Sequence, residues 1–172
     1  MSLTECSYPF EYIGVSKTGA DKYQQDTLIY RFRSSKSSHE YEVHIERFKN
    51  HLCCIKFFDT SSTHRFGRFS QLTDTFEPRT IFRTVADIAL DALNLDPFSS
   101  FCFVGAADDR DAPDGVKTRR YRVYKAYIKR LGFEELFESA FYDHYSLGVL
   151  INRKAVTDID AYMQQILDFV TV

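Results

Sequence analysis

The sequence predicts an α+β domain, a mostly antiparallel mixed sheet with about three helices packed on it. Three observations lead there. Strand-type stretches come first, one after another, and helix-type and strand-type stretches alternate only afterwards. Aromatic residues, all Phe and Tyr with no Trp, supply 16% of the 172 residues, and such side chains favour strands and bulky cores. The remaining composition, 44% hydrophobic and 27% charged, is ordinary globular usage and long enough for one domain, 1–172, with a real core.

The first third carries the period of two. In "YEVHIERF" (41–48) Tyr41, Val43 and Ile45 alternate with Glu42, His44 and Glu46, and "TLIYRFR" (27–33) pairs with it as a hairpin across the polar "SSKSSHE". "HLCCIKFFD" (51–59) is apolar on both faces, as a central strand would be, and "YPFEYIGV" (8–15) reads as a further short strand. Residues 60–78 show no period and are expected to form a long loop, with Pro78 suited to the first turn of a helix. From Ile81 to Leu95 apolar residues recur at helical spacing, and Pro97 follows. "FCFVGAA" (101–107) reads as a buried strand, and "DDRDAPDGVK" as an acidic turn. Tyr121, Tyr124, Tyr127, Ile128 and Leu131 form the apolar side of the next helix, which Gly132 stops. Residues 133–154 read as two strands, or one strand and a bend. A last helix spans about 158–170, capped by Thr157 or Asp158, with Ile159, Tyr162, Met163, Ile166 and Val170 buried.

The chemistry is mostly defined by what the chain lacks. There is no GxGxxG, GxxxxGK[ST], HExxH or GxSxG, and seven unclustered glycines give no phosphate-cradling loop. His44 shares a strand face with Glu42 and Glu46, and the favoured reading is a polar face without metal. Asp108, Asp109, Asp111 and Asp114 are the right residue type for Mg²⁺, although solvating a turn and charging a helix N-terminus explains them as well. In "YDHYS" (142–146) adjacent side chains on a strand face opposite ways, so no nucleophile–base pair is expected. Cys6, Cys53, Cys54 and Cys102 include no CxxC and are expected to be buried, reduced thiols, Cys53 and Cys54 on opposite faces of a strand. With no signal-type start and no apolar run near 18 residues, a cytoplasmic location without a membrane anchor is expected.

The net charge is −2, yet residues 117–130 hold seven Lys or Arg interleaved with three tyrosines. Arginines with aromatics beside them are the ingredients of phosphate and base contact. Arg119, Arg120, Arg122, Lys125 and Lys129 are therefore the hypothetical contacts to a polyanion or acidic protein, and a solvated helix face is the competing reading.

Strand, loop and a helix closing "YIKRLGF" followed by further strands resemble the C-terminal half of GNAT acetyltransferases over about residues 82–152, where Tyr127, Lys129, Gly132 and Phe133 match loosely. The resemblance implies a GNAT-like scaffold and, in an active member, acetyl-CoA as cofactor, with Tyr124 or Tyr127 offered as proton donor to the departing thiolate. The family's pyrophosphate loop, Arg/Gln-x-x-Gly-x-Gly/Ala opening the preceding helix, is "TDTFEPRTIFRTV" here, with no glycine. A scaffold without the activity, and without a cofactor, is the resulting expectation. Ile81, Phe82, Thr84 and Val85, then Arg120 and Tyr124, also resemble a loose group of small bacterial and phage proteins, which implies only a bacterial or phage setting. The leading expectation is thus a non-catalytic binding domain using the basic helix. An acyl-CoA-dependent N-acyltransferase with a degenerate cofactor loop is the alternative, and homodimerisation through strand edges a third possibility.

Overall fold

The computed structural model describes residues 6–17, 24–61, 77–107 and 111–170. The expected loop centre, 62–76, and Asp108 and Asp109 lie outside the described residues, as do the side chains of Phe169 and Val170. Among the described residues one seven-stranded mixed sheet carries three helices, the α+β architecture expected.

In chain order the elements are β1 (Phe10–Ser16), β2 (Gln24–Arg33), β3 (Glu40–Phe48), β4 (Leu52–Asp59), α1 (Pro78–Ala92), β5 (Ser100–Val104), α2 (Arg119–Leu131), β6 (Phe137–Tyr142), β7 (Leu147–Asn152) and α3 (Ile159–Val170). They line up as β1-β2-β3-β4-β5-β7-β6. Every pairing is antiparallel except β4–β5, which α1 joins as a crossover. Residues 133–154 therefore hold two strands, separated by a 3-10 turn at Asp143–Tyr145.

The period of two sets which face each strand buries. Leu28, Tyr30, Phe32, Tyr41, Val43, Ile45, Cys53 and Phe101 pack beneath Ile81, Val85, Ile88 and Ala92 of α1. On the other face Leu52, Cys102, Leu147, Val149 and Ile151 meet Tyr162, Met163 and Ile166 of α3. Cys53 and Cys54 thus point to opposite faces. Cys6 is exposed and Cys54 half-buried, so burial of all four thiols is corrected to Cys53 and Cys102 alone. Cys6 precedes the first strand and has no sheet to shelter it.

Local chemistry places the ends. Pro78 opens α1, as expected, because its missing N–H is one the first turn leaves unused anyway. Thr118 caps α2 by accepting from Tyr121 N at 3.2 Å, and Gly132 ends it at φ +67°. Asp158 caps α3 through Ala161 N at 3.0 Å. The β3–β4 turn sets Asn50 (φ +62°) and His51 (φ +59°) in the left-handed region, as tight hairpin turns require. Tyr30 is fully buried and keeps its polar end satisfied by donating to Asp91 at 3.0 Å, which ties β2 to α1.

Candidate functional site

The single parallel pairing is also the shortest. β4 and β5 are in register only at Leu52↔Ser100, Cys53↔Phe101 and Cys54↔Cys102, whereas β4 continues to Asp59 and β5 to Val104. A gap therefore opens toward the carboxyl ends of the two parallel strands, where the chain direction in the sheet switches. Ligands of open α/β sheets collect at such positions.

Two hollows adjoin the gap and share Ile55, Phe57 and Tyr124. One, of about 90 Å³, lies between the sheet, α1 and α2 and is wholly apolar, with Phe82, Ala86, Phe103 and Ile128 among its walls. The other, of about 230 Å³, is bounded by Cys54, Lys56, Val104 and Ala106. Cys54 and Lys56 come from the opposite sheet face to Ile55 and Phe57, so this hollow lies between the strands themselves.

Aromatic packing and close approach fix the walls. Tyr124 meets Phe82 at 5.0 Å, Phe103 at 5.2 Å and Phe57 at 6.0 Å between ring centroids. Burial pushes its phenol up to about 12, against a smaller opposing pull from Arg120. The far end of the Phe103 ring comes against Gly148, where an added Cβ would collide with it. Gly105 lets α2 touch the end of β5: a Cβ there would collide with Tyr121 N. Thr118 Oγ1 donates to Gly105 O at 2.5 Å, and Gly105 N donates to Ser146 O at 2.9 Å.

The basic helix divides. Arg119, Arg122, Lys129 and Arg130 face outward. Arg120 differs from these in being only 5% exposed. Lys125 is half-buried and bound to Asp143 at 3.3 Å, 5.1 Å from the Phe141 ring centroid. Asp143 also accepts from Tyr121 Oη at 2.7 Å and pairs with Lys117 at 3.2 Å. The Tyr121 hydroxyl and then the Lys117 ammonium hold its carboxyl down at about 2, against a smaller opposing effect of burial. A carboxyl depressed on folding stabilises fully above its unfolded value of 3.8, and that stabilisation is lost as the pH falls toward about 2. Asp143→Asn is expected to lower Tm modestly at pH 7 and to flatten the decline of Tm through that acid range, read by calorimetry.

The other candidate residues serve the fold itself. Glu42 takes His44 at 2.5 Å and Glu46 takes Lys56 at 2.9 Å, as on the polar face expected. Asp111 accepts from Arg119 N at 2.8 Å and Asp114 from Val116 N at 3.0 Å, so both serve the loop and the start of α2. Among the described residues no group of three or more His, Cys, Asp or Glu stands close enough to hold a metal ion. No helix of the described residues is long and apolar enough to cross a membrane.

Glu77 immediately precedes α1 and is only 6% exposed. Its carboxylate receives the hydroxyls of Tyr8 at 2.5 Å, Ser34 at 2.7 Å and Ser37 at 2.7 Å. The N-terminus of α1 thus already carries a buried carboxylate, followed by a proline with no N–H to offer. A diphosphate does not fit there. Compared with known proteins, the chain matches no family model, no curated protein and no solved structure.

Proposed function

We propose that the protein is a non-catalytic binding domain whose ligand lies in the gap between β4 and β5. The observation that carries this reading is the end of pairing at Cys54↔Cys102, with an apolar hollow and a second one bordered by Lys56 beside it. An amide-bearing chain laid in the gap would run beside strand backbone on both sides, and its apolar end would reach the Phe57–Phe82–Tyr124 hollow. Acyl-pantetheine has that chemistry, and it is the part of acyl-CoA that the GNAT resemblance implies and the gap can accept. The buried Glu77 carboxylate and Pro78, which has no N–H, speak against a diphosphate at the start of α1. Tyr124 is packed among aromatic rings with its pKa near 12, which supports a wall rather than a proton donor.

Calorimetric titration tests this. Acetyl-pantetheine and acetyl-CoA are expected to bind 1:1 with affinities within a few-fold of each other. Absence of heat with both would overturn the reading, and much tighter acetyl-CoA binding would contradict the expectation that the diphosphate adds little.

A second reading keeps the outer face of α2 as a contact for a polyanion or acidic protein, because Arg119, Arg122, Lys129 and Arg130 all face outward there. Replacing Arg119, Arg122 and Lys129 together by Ala is expected to lower the salt at which the protein leaves a heparin column. Unchanged elution would remove this reading.

A further inference from the structure

Cys54 and Cys102 are register partners in the last parallel pair before the strands part. Neighbouring strands run about 4.7–4.9 Å apart, inside the ~4.4–6.8 Å between Cα atoms that a disulfide spans. Both side chains lie on the face covered by α3. Cys54 is half-buried and borders the larger hollow beside Lys56, whereas Cys102 sits behind it at 3% exposure. The neighbouring Cys53 points to the other face, and burial holds its thiol up at about 11.

We propose that Cys54 and Cys102 form a thiol–disulfide switch at the hinge of the gap. Cys54 is the attacking sulfur, Cys102 the resolving one, and a small disulfide of the glutathione type the oxidant. Cys54, its proton given to solvent, attacks one sulfur of the glutathione disulfide and expels the first glutathione thiolate. Cys102, deprotonated in turn, attacks the Cys54 sulfur of the mixed disulfide and releases the second. Two electrons pass from the protein thiols to the small disulfide, and the two protons end on the two released glutathiones. The order of attack follows the surroundings. Cys54 borders the hollow with Lys56 beside it, and its neighbours Cys102 and Lys56 lower its thiol, whereas Cys102 lies behind it and contact with Cys54 and burial raise its thiol. The new bond ties β4 to β5 where they begin to diverge and limits how far the gap can open. That consequence rests on the gap being the ligand site; the sulfur chemistry does not.

The experiment uses Cys6→Ser protein, so that the exposed thiol does not react, treated with oxidised glutathione and followed by intact mass and peptide mapping. The expected product has lost two hydrogen atoms and links the Cys54 and Cys102 peptides, with no retained glutathione. Adding Cys102→Ser should halt the reaction at a glutathione adduct on Cys54, and adding Cys54→Ser should leave Cys102 unreacted over the same interval. No loss of thiols, a stable adduct on the Cys6→Ser protein, or a bond to Cys53 would overturn the proposal. Oxidation should also change acetyl-pantetheine affinity several-fold. Equal affinity in the two forms would overturn the switching role, whereas no binding in either form condemns the ligand reading and leaves the mass result to decide the dithiol chemistry.

Discussion

Gly105→Ala should lose about 3 kcal/mol of stability, near the upper end of the overpacking range. At roughly 2–4 °C per kcal/mol for a chain of this size, Tm should fall by roughly 6–12 °C. The added methyl would collide with Tyr121 N and would meet Tyr121 Cβ at 2.6 Å and Thr118 Oγ1 at 2.7 Å. The first contact is backbone and cannot be relieved by a rotamer change, so the start of α2 must move away from β5. That movement also breaks the bond from Thr118 Oγ1 to Gly105 O. Gly115→Ala is the control: nothing lies within 4 Å of its Cβ position, and only the backbone at φ +69° is strained, at a cost of ~1–2 kcal/mol. A Gly105→Ala protein more stable than the Gly115→Ala protein would contradict the close packing of α2 on the end of β5.

The second large effect belongs to Glu77. Hydrogen bonds to a charged acceptor are worth ~1.5–3 kcal/mol each, and Glu77 accepts three from hydroxyl groups. Keeping a carboxylate out of water costs several kcal/mol, which offsets part of that sum. Glu77→Ala is therefore expected to cost ~2–4 kcal/mol, and Tyr8→Phe, which removes a single donor, ~1.5 kcal/mol. Urea midpoints at unchanged m-values would measure both. The network joins the segment before β1, the β2–β3 turn and the start of α1, so its loss should release all three. Equal losses from the two substitutions would mean that Tyr8 alone carries the cluster.

Much of this was legible from local pattern. Alternation placed β2 and β3, and Pro78, Gly132 and Asp158 marked helix ends because each acts through its own backbone or its immediate neighbours. The gap was not legible, since it depends on β4 and β5 pairing across an intervening helix and then ceasing to pair. The signal nearest to it was the isolated glycines: Gly105 and Gly148 in strand-type stretches mark close approach, of a backbone in one case and a ring in the other. The burial of Arg120 could have been found. It lies four residues before Tyr124 and seven before Tyr127, on the helix face that packs inward, and counting charges along α2 concealed that spacing. The Glu77 cluster joins residues as many as 69 positions apart, and no local rule brings them together.

Amide mapping of isotopically labelled protein during titration with acetyl-pantetheine tests the central claim most directly. A ligand between β4 and β5 should shift amides of residues 55–58 and 103–106 and of Tyr124, with the outer residues Arg119, Arg122 and Arg130 unmoved. No shifts at saturating ligand, or shifts gathered on the outer face of α2, would contradict it.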